Sequence, residues 1–313
     1  MILIADIGGT NSRLTLVRGK SKKFFNLKTY KSKNFKNIYE VVKNYFLEVN
    51  LRKIPTLAIF ALAGPVIKDQ AYLTNLNWEV SKHKLKKFFG FKEVILVNDL
   101  QALSASILLL EKSEILNIKG AKSLKREPKA FIAPGTGLGE AILVKEEPLT
   151  IIPTEGGHIF FSPLNEEEFQ YLKFLERKGE ELSWEKALSG KALSYWYEYY
   201  FNESLLPEKI TEFAKEKDPK ALKVIRKFFE LLGRKISQLA LYSLPEGGIY
   251  IAGGVIQALK EFLEIQEFKE ILLNGYFQNK KLKELLDKFS LNVILYPNPC
   301  LLGALAILHN QQK

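Results

Sequence analysis

The chain begins with Met1-Ile-Leu-Ile-Ala-Asp6-Ile-Gly8-Gly9-Thr10-Asn11-Ser-Arg13, and this stretch decides the fold. Residues 2–5 form a short apolar run that predicts a buried strand, and residues 14–17 form a second one. Because two glycines lie between these runs, the chain is predicted to turn tightly and return on a neighbouring strand. Glycines without Cβ atoms let backbone N–H groups converge on an anion. An ordinary hairpin that binds nothing also fits the two glycines taken alone.

Asp6 indicates what kind of anion this turn would bind. A carboxylate beside a group of N–H donors would repel an anion unless a cation lay between them. Magnesium binds carboxylate and phosphate oxygens and keeps several of its waters. The stretch therefore predicts a nucleotide phosphate with Mg²⁺, and Asp6 is expected to orient the ion through water.

Composition excludes several classes of protein. The 313 residues allow about two domains, and 47% hydrophobic with 26% charged residues is ordinary for a globular protein. The formal net charge is +11, but the basic residues are spread along the chain, so no nucleic-acid partner is expected. A basic surface also attracts anionic substrates such as nucleotides and sugar phosphates.

The single cysteine, Cys300, excludes an intrachain disulfide and a cysteine-rich zinc site. This usage is typical of a reducing compartment, and a cytoplasmic location is expected. No apolar run approaches the ~18 residues that a membrane-spanning helix needs, so no membrane partner is expected.

The first third of the chain alternates strand and helix patterns. Strands are expected at residues 24–30, 57–63, 71–74 and 94–97, and helices at 35–49, 80–89 and 100–110. This alternation is typical of an α/β unit, which is predicted to end near residues 110–113.

The second part repeats this plan. Strands are expected at residues 130–133, 141–144, 149–152, 248–252 and 293–296, with a Gly-rich turn at 134–139, helices from 165 to 244 and a last helix at 301–309. Gly303 and Ala304 in that last helix are small enough for close packing. Two strand–glycine turn–strand hairpins, near residues 8 and 135, indicate an internal duplication and predict a nucleotide held between two similar halves.

Six short motifs follow one another along the chain. They are Asp6-Ile-Gly8-Gly9-Thr10-Asn11-Ser-Arg13, Leu96-Val97-Asn98-Asp99, Gly135-Thr136-Gly137-Leu138-Gly139, Glu155-Gly156-Gly157-His158, Glu185-Lys-Ala-Leu188-Ser189-Gly190 and Ile251-Ala252-Gly253-Gly254. One glycine motif is weak evidence. In this order and spacing, the six resemble the bacterial glucokinase family of the hexokinase/actin-like ATPase superfamily, of the type without a zinc-binding cysteine motif.

The resemblance implies a fold and an activity. The fold is α/β, with two actin-like (ribonuclease H-like) domains and an interdomain cleft; a small domain of residues 1–110 plus 301–313 and a large one of 111–300 are expected. The activity is ATP-dependent phosphorylation of glucose at the 6-hydroxyl, a step of glycolysis, giving glucose 6-phosphate and ADP. ATP and Mg²⁺ are the implied nucleotide and metal, and a homodimer is expected because it is the commonest soluble assembly.

The resemblance also implies site residues. Asp99 is the expected catalytic base, although an Asp that opens a helix fits an N-cap equally well. The residues expected to bind glucose are Asn75, Asn98, Asp99, Glu155, His158 and Glu185. The residues expected to bind the nucleotide are Asp6, Gly8, Gly9, Thr10, Asn11, Gly135, Thr136, Gly137, Gly253 and Gly254. Glu155, His158 and Glu185 have no obvious structural reason to lie in or beside glycine turns, whereas sugar hydroxyls are read by such groups.

Three positions depart from the family's pattern. Phe160 follows the Glu-Gly-Gly-His motif where an Asp is common, and Lys191 follows Leu-Ser-Gly where a Pro is common. Glu140 follows the second glycine turn and would add negative charge near the nucleotide if it faced the turn; on a strand it can also point away. These departures bear on sugar specificity and affinity.

Three other functions compete with this interpretation. The nearest is a kinase for another hexose. A second is an actin-like ATPase without a sugar substrate, for which the polar residues of the sugar side would have no use. A third is a sugar-sensing repressor, which the absence of an N-terminal helix-turn-helix before the first strand disfavours.

Overall fold

The structure is a computed structural model that describes residues 1–19, 21–120 and 127–311. Its strands are β1 (Ile2–Ile7), β2 (Asn11–Val17), β3 (Phe25–Lys31), β4 (Leu57–Leu62), β5 (Val66–Ile67), β6 (Gln70–Leu73), β7 (Trp78–Ser81), β8 (Glu93–Asn98), β9 (Ile115–Lys119), β10 (Lys129–Pro134), β11 (Leu138–Glu146), β12 (Leu149–Thr154), β13 (Ile249–Ile251) and β14 (Leu291–Ile294). Its α-helices are α1 (Ile38–Glu48), α2 (Lys82–Phe89), α3 (Asp99–Ala105), α4 (Glu166–Arg177), α5 (Trp184–Ala187), α6 (Gly190–Phe201), α7 (Pro207–Lys215), α8 (Pro219–Ser243), α9 (Gly254–Ala258), α10 (Gln266–Tyr276), α11 (Lys283–Asp287) and α12 (Pro299–Gln311). Within these described ranges, no helix is long and apolar enough to cross a membrane.

The two main sheets share one plan. The first has the strand order β3-β2-β1-β4-β8, and the second has β12-β11-β10-β13-β14-β9. In each, an antiparallel glycine-turn hairpin (β1 with β2, β10 with β11) is followed by parallel pairing of its first strand with a later one (β4 or β13). The internal duplication predicted from the sequence is therefore confirmed.

Helices cover both faces of the first sheet, which explains the uninterrupted apolar run of β1. Leu3, Ala5 and Ile7 belong to the same hydrophobic cluster as α1, whereas Ile4 packs in the cluster that contains α12. Because alternate residues of a strand face opposite sides, Asp6 lies on the same side as Ile4. The strand pattern therefore directs the Asp6 carboxylate toward the side covered by α3 and α12.

The last helix crosses α3 closely at Gly303. A Cβ atom at this position would lie 2.6 Å from the Ala102 carbonyl carbon and 2.7 Å from the Ser106 nitrogen. The predicted role of Gly303 in close packing is confirmed. Because α3 begins at Asp99, this crossing also fixes where that residue lies.

The chain divides into two compact units by its contacts. The first contains Met1–Glu111, Glu146–Pro153 and Tyr296–Lys313, and the second contains Lys112–Lys145 and Thr154–Leu295. The domain limits expected from the resemblance, 1–110 plus 301–313 against 111–300, stay a prediction.

One strand was not expected from the sequence, and one expected helix start was wrong. The segment Ile115–Lys119 is an edge strand that pairs antiparallel with β14, although its mixed apolar and polar residues give no clear alternation. The helix expected from residue 80 begins at Lys82, because Ser81 caps it by accepting a hydrogen bond from the Lys84 nitrogen at 3.4 Å. Trp78, which opens β7, is 3% exposed and packs in the core.

Candidate active site

Asp6 lies near the end of β1 with a partner across the hairpin. Its register partner on β2 is Arg13, whose Nη1 donates to the Asp6 carboxylate at 3.2 Å. Asp6 is only 9% exposed. Burial raises the pKa of Asp6, and the charge and hydrogen bond of Arg13 oppose that rise. Arg13 is thus the group that keeps a negative charge possible beside the glycine turn.

The first glycine turn is shaped by close contacts. The Gly8 nitrogen donates to the Asn11 carbonyl at 3.0 Å, which closes the turn through Gly9 and Thr10. Neither glycine has a left-handed φ. A Cβ at Gly8 would lie 3.2 Å from the Asn11 oxygen, and one at Gly9 would lie 3.1 Å from the Asn75 Cβ. The structure thus brings Asn75, expected on the sugar side, next to the first phosphate turn.

Asn98 and Asp99 lie at the same sheet edge as this turn. The parallel strands β1, β4 and β8 end in register at Ile7, Leu62 and Asn98. Two strand spacings separate β1 from β8, or about 10 Å. Open α/β sheets bind ligands at the carboxyl ends of their strands. The sheet therefore places Asp6 and Asp99 at one edge, as the sequence predicted for a ligand site.

Asn98, not Asp99, is the N-cap of α3. The Asn98 Oδ1 accepts from the nitrogens of Leu100 and Gln101 at 2.9 and 3.3 Å, and the Gln101 side chain accepts from the Asn98 nitrogen in return. The Asn98 amide also donates to the Gly64 carbonyl at 3.1 Å. The alternative that Asp99 serves as the cap is wrong, because Asp99 is the first helical residue, where the helix dipole favours its negative charge.

Cys300 interacts with both Asp6 and Asp99. Its thiol donates to the Asp99 carbonyl at 3.7 Å. Burial raises the pKa of Cys300 well above its ordinary value, and the charges of Asp6 and Asp99 add to the rise. The thiol therefore stays protonated, which makes it a packing residue of the site rather than a nucleophile.

In the second unit, the other glycine turn leaves one face open. The Gly135 carbonyl accepts from the Gly190 nitrogen at 2.7 Å, and a Cβ at Gly135 would meet nothing within 4 Å. Gly253 lies beside this turn with φ of +101°, and a Cβ there would lie 2.9 Å from the Pro134 carbonyl carbon. Both features require glycine at position 253, and they bring two predicted nucleotide-binding segments together.

Glu185 contacts the second glycine turn. Its Oε2 accepts from the Leu138 nitrogen at 3.1 Å, and a Cβ at Gly137 would lie 3.0 Å from its carboxyl carbon. The expectation that Glu185 has no structural reason to lie near a glycine turn is therefore wrong. Its role in glucose binding stays a prediction.

The segment that carries Glu155 and His158 is a short 3-10 turn. Gly156 and Gly157 are buried, whereas Glu155 and His158 are exposed. The His158 nitrogen donates to the Glu155 carbonyl at 3.0 Å, and its ring Nδ1 lies 3.4 Å from a Glu181 carboxylate oxygen. Two glycines thus fix the backbone while two polar side chains remain accessible to a ligand.

The three departures from the family's pattern have different surroundings. Phe160 is 79% exposed beside this turn. Lys191 forms an ion pair with Glu180 at 3.0 Å. Glu140 points into the interior, where it is fully buried against Lys235, so it adds no charge to the face of the glycine turn.

The Glu180 carboxylate, five residues before Glu185, has three partners. Lys186 and Lys191 lie 2.8 and 3.0 Å from its carboxylate, and the Tyr195 hydroxyl also donates to it. Although partial burial alone would raise the pKa of Glu180, these hydrogen bonds lower it to about 2.

Glu180→Gln is expected to lower the free energy of unfolding at pH 7 by about 1 kcal/mol. Because the folded-state pKa lies below the ordinary 4.5, the stabilisation is complete above pH 4.5 and is lost as the pH falls toward about 2. Denaturant titration across this range should show the difference between variant and parent shrink with falling pH. The exposed Glu176→Gln serves as the control, and a pH-independent difference for Glu180→Gln would contradict the assignment.

The donor set is compatible with magnesium. The described residues contain no group of three or more His, Cys, Asp or Glu side chains that could hold a metal ion. Asp6 offers a carboxylate beside the first glycine turn. Mg²⁺ fits such a site because it commonly binds through one or two carboxylates, its own waters and substrate phosphates.

Comparisons with known proteins agree along the whole chain. A family model described as Glucokinase matches residues 3–311. The glucokinase of Photorhabdus laumondii is 32% identical over 317 residues, covering 99% of this chain and 97% of its own. That of Trichormus variabilis is 31% identical, covering 97% of each.

Solved structures with a similar fold include several glucokinases. The crystal structure of a glucokinase from an Antarctic psychrotroph has a TM-score of 0.78 and 26% identity, covering 99% of this chain and 98% of its own. The glucokinase of Balamuthia mandrillaris in complex with glucose has a TM-score of 0.83 and 23% identity, covering 98% and 93%. A ROK family glucokinase from Streptomyces griseus in complex with glucose and AMPPNP has a TM-score of 0.70 and 18% identity, covering 98% of each. The predicted actin-like α/β fold is confirmed.

Proposed function

The chain belongs to the glucokinase family, and from this membership we propose that it transfers the γ-phosphoryl group of ATP to the 6-hydroxyl of glucose. The products are glucose 6-phosphate and ADP. The observation that carries the proposal is the pair of carboxylates, Asp6 and Asp99, at one edge of the first sheet, with capping of α3 assigned to Asn98. Phosphoryl transfer to a sugar needs one carboxylate near the phosphates and one at the attacking hydroxyl.

Asp99 is the general base of this proposal. It accepts the proton of the 6-hydroxyl as that oxygen attacks the γ-phosphorus. Its position at the first turn of α3 supports the role, because the helix N-terminus stabilises the ionised carboxylate that must be present before the reaction. The nearby thiol of Cys300 stays neutral and does not compete for the proton.

The two glycine turns would hold the phosphates. In the first unit, Gly8, Gly9, Thr10 and Asn11 form the turn beside the Asp6–Arg13 pair. In the second unit, Gly135, Thr136 and Gly137 form a turn whose open face could accept a phosphate, and Gly253 and Gly254 would lie along the adenosine. Asp6 would hold Mg²⁺ through water, and the bound ion would neutralise the phosphates.

The residues that would hydrogen-bond the sugar hydroxyls are Asn75, Asn98, Glu155, His158 and Glu185. Such a site rejects analogues that lack a hydroxyl, because its own polar groups are then left unpaired. Glu185 supports this arrangement, since its contact with Leu138 would place one carboxylate next to both the sugar and the second phosphate turn.

One observation favours a second candidate, a kinase for another hexose. Phe160 is 79% exposed next to the Glu155–His158 turn, where the family commonly has an Asp. An aromatic side chain at the rim of the sugar site would favour a less polar substituent than a carboxylate does.

The proposal also includes the location, assembly and domain limits of the enzyme. It is a cytoplasmic homodimer, with a small domain of residues 1–110 plus 301–313 and a large one of 111–300.

Phosphorus NMR of the product mixture tests the proposal. With ATP, Mg²⁺ and glucose, the expected new signal is that of a phosphomonoester on the 6-position, identified by its coupling to the C6 protons. Inorganic phosphate as the only new product, formed equally without glucose, would contradict the proposal and indicate an ATPase.

A further inference from the structure

We infer that Glu140 is a positioning residue for the sugar loop, which we define as residues 155–158. The inference rests on the proposed function only for the loop's role in reading glucose; the anchoring of the loop is a property of the second unit alone. Glu140 acts from beneath the loop and touches no substrate itself.

One ion pair and one hydrogen bond from α8 hold the Glu140 carboxylate. Glu140 is fully buried, and its Oε1 lies 2.8 Å from the Nζ of Lys235, which is 1% exposed. The Tyr242 hydroxyl donates to Oε2. Burial and the Glu140 charge raise the pKa of Tyr242, so that its hydroxyl remains a donor. A buried carboxylate with a partner on each oxygen has little freedom to move.

The sugar loop rests directly on this carboxylate. A Cβ at Gly156 would lie 2.7 Å from the Glu140 carboxyl carbon, so the Glu140 carboxylate fills the space that a side chain at position 156 would need. The main chain of Glu140 holds the same segment, because its carbonyl accepts from the Thr154 hydroxyl at 3.2 Å. The Gly156 nitrogen in turn donates to that hydroxyl oxygen at 3.3 Å.

These contacts connect α8 to the loop through one residue. Lys235 and Tyr242 fix the position of the Glu140 carboxylate, and Gly156 packs on that carboxylate. The turn then exposes the side chains of Glu155 and His158 to solvent. Shifting or neutralising Glu140 would leave Lys235 buried without a charge partner, and the region would rearrange to hydrate it. The backbone that packs on this carboxylate is that of Gly156, so the expected consequence is a displaced sugar loop and weaker glucose binding.

The same helix offers a matched control. Glu168 on α4 is also fully buried and bonded to two cations of α8, Lys227 at 3.0 Å and Arg234 at 2.8 Å. The Glu168 carboxylate also accepts a hydrogen bond from the Leu164 nitrogen at 2.8 Å, and Leu164 lies outside the sugar loop. Neutralising Glu168 therefore removes a buried charge pair of similar kind without touching residues 155–158.

The experiment compares Glu140→Gln, Tyr242→Phe and Glu168→Gln with the parent chain. We expect the KM for glucose to rise about tenfold in Glu140→Gln and about threefold in Tyr242→Phe, in keeping with hydrogen bonds to a charged group. The KM for ATP should stay within about twofold in both. Glu168→Gln should lower the unfolding midpoint and leave the KM for glucose unchanged.

Hydrogen exchange supplies a readout that needs no substrate. Amides of residues 154–158 should exchange faster in Glu140→Gln than in the parent chain and stay unchanged in Glu168→Gln. If Glu140→Gln does not fold, Tyr242→Phe decides, because Tyr242 is half exposed and its loss leaves the core intact. Unchanged loop exchange in the folded Glu140 or Tyr242 variant, or an equal rise in glucose KM in Glu168→Gln, would overturn the inference. A parent chain without glucose-dependent turnover would overturn the proposed function instead, and the exchange result would still decide the anchoring.

Discussion

Asp99→Asn is expected to lower glucose-dependent turnover by about 10²- to 10⁴-fold, the range that loss of a general base produces. An amide keeps the shape of the side chain but cannot accept the proton of the 6-hydroxyl. Glucose affinity should stay within about twofold, because an amide can still hydrogen-bond that hydroxyl. Steady-state rates of ADP formation together with equilibrium glucose binding measure the two effects separately.

Asp69→Asn is the matched control for this variant. It makes the same chemical change at an exposed residue of the first unit that forms an ion pair with Lys82. We expect unchanged turnover and affinity in the control. Near-parental turnover in Asp99→Asn would show that another group takes the proton, and a parallel loss of glucose affinity would assign Asp99 to binding alone.

Gly303→Ala is expected to lower the free energy of unfolding by about 3 kcal/mol, near the upper end of overpacking costs. The new methyl group would overlap the Ala102 carbonyl group and lie 2.7 Å from the Ser106 nitrogen. Neither obstacle is a flexible side chain, so α3 and α12 must separate. Because Asp99 opens α3, turnover should fall together with stability.

Denaturant unfolding of Gly303→Ala alongside Ala304→Gly checks this prediction. The control makes the opposite change one residue along the same buried helix and should cost about 1 to 2 kcal/mol, from helix propensity and one lost methyl group. A smaller loss in Gly303→Ala than in the control would contradict the close crossing of the two helices.

Local sequence signals were sufficient for the two strand–turn hairpins and for the sheet edge at which Asp6 and Asp99 lie. Both hairpins could be predicted because each consists of adjacent apolar runs around a glycine turn. The ends of β1 and β8 could be predicted to within two residues because each apolar run stops at polar residues, which placed Asp6 and Asp99 at one sheet edge. Arg13 could also have been found, because counting outward from the glycine turn pairs it with Asp6.

Contacts distant in sequence could not be predicted. The bond between Glu185 and Leu138 spans 47 residues, and that between Tyr242 and Glu140 spans 102. No local sequence pattern predicts which buried cation will form an ion pair with a glutamate on a strand. The choice between Asn98 and Asp99 as the cap of α3 was equally hidden, because both side chains can cap and only the backbone conformation distinguishes them.

The central claim is that this chain phosphorylates glucose with ATP. The most direct test measures ADP release from ATP and Mg²⁺ without sugar and with glucose, mannose, fructose or N-acetylglucosamine supplied singly. We predict release that depends on sugar and is fastest with glucose. Equal release with and without sugar would contradict the claim.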